Sequence, residues 1–587
     1  MALQETETTV AQDPVDSKQS SADHLGVHEK KDAADDVHIH NEYAYKGDDS
    51  DGNVAWTLRH SVAAISLGML YAGSQVMLYF VGGCLSFIEA DLGAEKVGSW
   101  LPVSNTLAIT AVSPFVGYLQ DLLGRRNITL AGSIVIMLGI ALIGSANSFG
   151  QAVTGMALSG AGAGVCELTA LAGYEGKNLS VIIRNADAQQ FVGYRPCATI
   201  PLFVFVCLLM GLSQLLSTYR TWRWTQWIAL IWNGVVFLGL LTTYFPKAHP
   251  RLEGMSKQQI LKRIDYLGAI LSVVGITLFL VALQSGGYTH PWASGYVLAQ
   301  LIIGILLIIA WVIWEWKYAP HPMIPRELYQ GQRVVALTFL VAFVAGFDFY
   351  SLINFFPISF STLWSPDPVQ VGLKGLGYGI STTAGAVFWN ALLSTRLEAK
   401  YILLMSSIIM TAFIGGLVAT TPETPKLAVA LGTIASFGVG GILVPAATVA
   451  LIVVPDSLLA TTAALSLSIR TVGGSIGFTI YYNIFVNKLN TQLPKQIAKY
   501  AIKAGLPAAD ATEFVTMFLA APANITQAVG YTPQALAGAT LGERWAYAES
   551  LKWVWVTSIP FGVLAIITCF FIPNIKKYQT NRVAVAL

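Results

Sequence analysis

The sequence predicts an all-α polytopic membrane protein with about fourteen transmembrane helices. Three observations lead there. Apolar residues make up 54% of the 587-residue chain and charged residues only 12%, against about 25% in a soluble domain. Apolar runs of about twenty residues recur along most of the chain, each long enough to cross a hydrocarbon core as a helix. Lysines and arginines collect in alternate connections between those runs, as cytoplasmic loops require.

Residues 1–52 come first. They hold 13 acidic residues against 4 lysines, a net charge of −9. Such a segment cannot bury enough apolar surface to fold and reads as a solvated cytoplasmic tail. It lacks the apolar stretch of a signal peptide. His24, His28, His38 and His40 lie in it and read as solvated side chains, not metal ligands.

The spans follow at about 60–86, 99–118, 128–145, 151–173, 198–217, 224–245, 266–284, 295–316, 334–360, 375–393, 401–420, 427–454, 459–486 and 552–572. Their order is tested by charge. With the N-terminus inside, Arg125 and Arg126 follow the second span, and Lys177, Arg184 and Arg195 the fourth. Lys247, Arg251, Lys257, Lys262 and Arg263 follow the sixth, and Lys317, Arg326 and Arg333 the eighth. Arg396 and Lys400 follow the tenth, and Lys576, Lys577 and Arg582 the last. Most outer connections carry fewer cations; "STYRTWRW", with Arg220 and Arg223, is the exception. The alternation predicts an even number of spans and two cytoplasmic termini. A long outer segment, 487–549, precedes the last span. Its "NIT" at Asn524 is a glycosylation acceptor on the outer side, whereas the sequons at Asn127 and Asn178 fall inside.

Ionisable residues within spans are costly and face a partner or an internal cavity. Three stand out: Glu167 in "GAGAGVCELTALAG", Asp348 in "AGFDFYSLINFF" and Arg470 in "LSLSIRTVGGSIGF". Each is a candidate for proton coupling; a carboxylate–arginine pair that ties helices together is the competing reading. Asp348 is flanked by Phe347, Phe349 and Tyr350. A carboxylate among aromatic rings is costly to keep charged, which suits proton coupling. Those rings, with Asn354, are the candidate substrate contacts. Small-residue strings sit on the fourth span (Gly160, Gly162, Gly164), the twelfth (Gly438, Gly440, Gly441) and the thirteenth (Gly473, Gly474, Gly477). They let helices approach closely in lipid, as static packing or as sliding surfaces.

Several classes are excluded. A net charge of +2 argues against nucleic-acid binding. The cysteines (Cys84, Cys166, Cys197, Cys207, Cys569) lie singly, without metal spacing. No Walker motif and no hydrolytic constellation is readable, so neither ATP drive nor an enzyme is expected, and no cofactor.

One stretch interrupts the apolar pattern: "GYLQDLLGRRN", Gly117 to Asn127. It resembles the signature of the major facilitator superfamily between its second and third spans, G-x-L-a-D-r-x-G-R-r. Gly117, Leu119, Asp121, Gly124, Arg125 and Arg126 match it. "ELTALAG", "RIDYLGAIL", "IRTVGGSIGFTIY" and the segment before "SLKWVWVTSIPFG" resemble the fungal fourteen-span drug:proton antiporters. Within these the chain is most similar to the trichothecene efflux pump family, near the siderophore–iron transporters. The resemblance implies a cytoplasmic tail (1–57), a six-helix bundle (58–246) and a linker with two extra spans (247–333). A second six-helix bundle (334–575), containing the outer loop 487–549, and a short tail (576–587) complete the chain. It further implies a monomeric plasma-membrane exporter of hydrophobic metabolites, coupled to protons by alternating access. Gly117, Asp121, Gly124, Arg125 and Arg126 would form a conformational latch, Gly117 and Gly124 giving tight turns. Siderophore uptake by proton symport is the alternative, and a non-transporting sensor a third. Two departures stand out. Met156 occupies the position of the superfamily's span-four arginine, and the span-five antiporter motif is not readable in 198–217.

Overall fold

The computed structural model describes residues 58–94, 100–175, 213, 216–245, 262–287, 289–324, 328–329, 333–393, 397–454, 458–520 and 522–575. Among them every element is helical, apart from an isolated bridge between Gly286 and His290. The N-terminal set comprises α1 (Leu58–Gly83), α2 (Leu85–Leu92), α3 (Trp100–Leu123), α4 (Arg125–Gly144), α5 (Phe149–Glu175) and α6 (Arg223–Thr243). Then come the interposed pair α7 (Tyr266–Ser285) and α8 (Gly295–Ile313). The C-terminal set is α9 (Arg333–Leu363), α10 (Pro368–Leu393), α11 (Ala399–Gly416), α12 (Pro425–Leu443), α13 (Pro445–Val453), α14 (Leu459–Lys503), α15 (Ala511–Ala520) and α16 (Pro533–Phe570).

Eleven described helices are long and apolar enough to cross a membrane. Two more, α5 at 27 residues and α10 at 26 residues, have the length, but glycine, threonine and serine dilute their apolar character. The protein is thus a multi-pass membrane protein, and fourteen spans are not all accounted for. The expected fifth span lies almost wholly outside the described residues, as do the two tails and the connection 176–212 with Asn178 and Lys177. The expected twelfth span is divided: α12 ends at Leu443 and α13 starts at Pro445. A proline removes one helical donor and clashes with the preceding turn, which breaks the run there.

Each set has its own core. Phe80, Ile136, Ile140 and Met156 anchor one cluster, and Phe355, Leu403, Ile442 and Val554 the other. Of α8's residues only Val297 and Gly304 are buried; Ile308 and Trp311 are half-buried against a core cluster with α7, and most of the others are exposed, as on a lipid-solvated span.

The segment 487–549, expected as a long outer loop, is largely helical. Helix α14 continues unbroken for 45 residues, and α16 begins at Pro533, well before its apolar stretch. The two extensions and α15 enclose a small core of Ile497, Ala501, Phe514, Ala535 and Ala539. Tyr500 stacks on Trp545 with centroids 6.3 Å apart. Ile497 and Ala501, like Ala535 and Ala539, are spaced by one helical turn. Asn524 lies in the short 3-10 turn Pro522–Gln527 of this hairpin.

Candidate functional site

The expected latch lies at one end of α3. Asp121 is buried and accepts three hydrogen bonds from the start of α14: Ala460 N at 3.3 Å, Thr461 N at 2.9 Å and Thr461 Oγ1 at 2.7 Å. The first amides of a helix lack internal partners and carry the positive end of its dipole, so a carboxylate there is well placed. Asp121 thus ties the N-terminal set to the C-terminal set. Gly117 does not form a turn. It sits inside α3, where a side chain would strike Ala464 and the Ala460 carbonyl, so its role is to let α3 and α14 touch. Gly124 does turn the chain, at φ 86°, a region open to glycine. Arg125 is buried at the first position of α4. Arg126 donates from Nε to the Tyr244 carbonyl at 2.8 Å and from Nη2 to Leu241 at 3.0 Å. Its guanidinium lies 4.1 Å from the centre of the Phe245 ring. It thereby neutralises the negative end of α6.

Farther along α14, Ser468 Oγ donates to the Thr110 carbonyl at 3.3 Å. Beyond it lies the second contact between the sets. Arg470 Nη2 donates to Glu167 Oε1 at 2.7 Å, and Gln75 Nε2 to Glu167 Oε2 at 2.8 Å. Glu167 is 1% and Arg470 9% exposed, so both charges depend on each other. Tyr71 of α1 and Tyr350 of α9 stand close enough to feel both charges. Arg470 Nε has no partner among the described residues. This cluster draws on α1, α5, α9 and α14, hence on both sets. The sequence reading singled out Glu167, Arg470 and Tyr350 but missed Tyr71 and Gln75; nothing in "LYAGSQVML" marks them until α1 and α5 are packed together.

Asp348 lies elsewhere. It is buried inside the C-terminal set, with the Tyr481 hydroxyl donating to Oδ1 at 3.4 Å. Its Oδ2 has no partner among the described residues. Phe347 packs beside it against Gly477, Tyr481 and Phe561, the last at 4.7 Å between centroids. Phe349 meets Tyr350 edge-on at 5.2 Å, and Asn354 donates to the Tyr350 carbonyl at 2.6 Å. The structure therefore splits the expected cluster: Tyr350 belongs with the ion pair, Phe347 and Asp348 with the interior of the C-terminal set.

The glycine strings are contact surfaces. A side chain on Gly160 would strike the Asn105 backbone, and one on Gly162 that of Ile136. On α14, Gly473 faces the Phe343 backbone, Gly474 the Tyr350 ring and Gly477 the Phe347 ring. Met156, at the position of the superfamily's arginine, is fully buried, and its carbonyl accepts from Asn105 Nδ2 at 3.3 Å. At the far end of the N-terminal set, Asp91 binds Arg223 Nη1 at 2.8 Å and Trp222 Nε1 at 3.1 Å, while Arg223 Nη2 reaches the Ala146 carbonyl at 2.7 Å. The exceptional outer arginine is thus neutralised and caps α4. No group of three or more potential metal ligands occurs among the described residues.

A family model described as the fungal trichothecene efflux pump matches residues 51–587. The chain belongs to the fungal trichothecene efflux pump family. The MFS-type efflux transporter ffsH of Aspergillus flavipes is 25% identical over 509 residues, covering 84% of each chain. The efflux pump FUS6 of Gibberella moniliformis is 27% identical over 516 residues, again 84% of each. Among solved structures, an auto-inhibited peptide transporter of the POT family superposes with a TM-score of 0.50 at 13% identity, over 87% of this chain and 97% of that one. This member of the efflux pump family has the fold of the major facilitator superfamily. In the sequence, α7 and α8 lie between the two sets of helices.

Proposed function

We propose that this protein exports a hydrophobic secondary metabolite across the plasma membrane in exchange for protons, acting as a monomer with both termini in the cytosol. Membership of an efflux pump family supports the direction. The observation that carries the mechanism is the Glu167–Arg470 pair. It joins the bundles at a buried point between them, so it must break whenever the cleft opens to the other side. A proton on Glu167 removes the attraction and releases Arg470. Tyr71, Gln75, Tyr350 and Arg470 Nε then offer rings and donors to cargo that is largely apolar but carries oxygen. Asp348, with one unpartnered oxygen, is a second proton acceptor. The Asp121 contact with α14 closes the cytosolic end in this conformation, the side that the positive loops assign.

Everted membrane vesicles loaded with acid test this reading. A panel of tritiated terpenoid toxins should include at least one that accumulates with the gradient and not without it. Glu167→Gln should abolish accumulation while leaving downhill exchange. Accumulation that ignores the gradient, or ferric-siderophore uptake by intact cells that depends on this chain, overturns the proposal.

A further inference from the structure

The clue lies where α3 and α14 stop touching. They meet from Asp121–Thr461 to Thr110–Ser468. At and just beyond Thr110, Ala111 and Leu107 of α3 pack against Ile276 and Leu280 of α7. The extra helix α7 therefore fills the wedge that opens between α3 and α14. Its attachments are unequal. Two apolar clusters bind it to α3, one with Leu107 and Ala111 and one joining Ala269 to Tyr118. No apolar cluster among the described residues joins α7 to α14. Two hydrogen bonds span that side: Gln284 Nε2 to the Ser475 carbonyl at 3.4 Å, and Trp292 Nε1, in the turn after α7, to Asn483 Oδ1 at 3.1 Å. The first is long for a hydrogen bond.

Between these contacts is a crevice of about 370 Å³, within the size range of small-molecule sites. Leu283, Ile476 and Ile480 line it, and Thr479, Asn487 and the Trp292 indole add polar groups. The α14 wall (Ile476, Thr479, Asn483, Asn487) continues at helical spacing the face that carries Thr461, Ala464 and Ser468 against α3. The Asn487 amide makes no hydrogen bond among the described residues. At Gly287 an added side chain would meet Trp292 Nε1 at 2.8 Å and also Asn483, so the turn lies directly over the opening.

We propose that this crevice is a lateral portal, closed by the Gln284 and Trp292 hydrogen bonds, through which cargo leaves the cleft toward the outer leaflet. The occupant is an amphiphile with an apolar body and a hydroxyl or carbonyl group. The extra pair α7–α8 moves with α3, and the portal parts along α14. The portal rests on the exporter reading, but its test does not.

The purified protein in phosphatidylcholine nanodiscs is irradiated with a dodecanol carrying a diazirine and an alkyne, and the labelled peptides are mapped. Labelling should concentrate on 476–487, above the level on the lipid-facing α8. Ile480→Trp, which fills the crevice, should cut it by at least about fivefold, the effect of about 1 kcal/mol. Trp292→Phe, which removes one closing bond, should raise it. A free terpenoid alcohol should protect the segment. Labelling equal to that of α8, indifference to Ile480→Trp, or protection only by added phospholipid overturns the portal. Expected labelling without gradient-driven export counts against the exporter reading alone; export without labelling counts against the portal alone.

Discussion

Arg470 and Glu167 are 303 residues apart in sequence and meet at 2.7 Å in the buried seam between the bundles. Neither charge has water to fall back on, and removing one partner of a buried pair costs about 3–5 kcal/mol. Arg470→Met should therefore lower the unfolding temperature in detergent substantially. The double variant Arg470→Met/Glu167→Gln should recover most of the loss, because no charge is left stranded. Equal losses in the single and double variants would show that packing, not charge, holds the site.

Asp121→Asn keeps the shape of the cap on α14 and removes its charge. The change should cost about 1 kcal/mol of the closed state, equivalent to about fivefold in the closed-to-open ratio. A cysteine at Ser468, buried in the α3–α14 seam, reports it: maleimide labelling from the cytosolic side should rise by that factor. Unchanged labelling would remove Asp121 from the latch.

The three glycines of α5 are not equivalent. Gly160→Ala and Gly162→Ala drive a methyl group into the backbones of α3 and α4, with the Asn105 Cα at 2.8 Å and the Gly132 carbonyl at 2.7 Å. Each should cost about 1–3 kcal/mol. Gly164→Ala meets only Ser113 Oγ at 3.2 Å and Ile109 at 3.5 Å. It should be close to neutral, since alanine favours the helix. Melting temperatures of the three single variants decide the order.

At the end of the N-terminal set away from Asp121, the Trp222 indole and then the Arg223 guanidinium hold the Asp91 carboxyl below its ordinary value of 3.8. A carboxyl depressed in the folded state adds stability above that ordinary value and loses it as pH falls through the lower, folded one. The site is largely exposed, so the increment is under about 1 kcal/mol. Stability of the wild type should fall more steeply than that of Asp91→Asn when acidified below about pH 4. Parallel acid titrations of the two would discard the contact.

Much of this was legible in sequence. Apolar length placed most spans, and the spacing from Gly117 to Arg126 drew attention to the end of α3, where Asp121 meets α14. The partner of Asp121 was not legible, because an amide donor such as that of Thr461 carries no side-chain signature. Glu167 and Arg470 stood out as charges within apolar runs, while their contact required two bundles to be docked. Phe347, Asp348 and Tyr350 look like one cluster in sequence, yet at about 100° per residue Asp348 and Tyr350 point to nearly opposite sides of α9, while Phe347 shares the Tyr350 face one turn away and packs on Gly477 where Tyr350 packs on Gly474. The hairpin escaped notice because its longest apolar helix, α15, has only ten residues, too few to read as a span.

Helix α14 begins at the Asp121 contact, passes Arg470 and ends in the outer hairpin after 45 residues, a rod of about 68 Å at 1.5 Å per residue. A rod that long amplifies angle into travel. Ten degrees of tilt about its Leu459 end carries Lys503 through about 12 Å. The hairpin is therefore a pointer: a dye placed on it would register each tilt of the helix that carries Thr461 and Arg470.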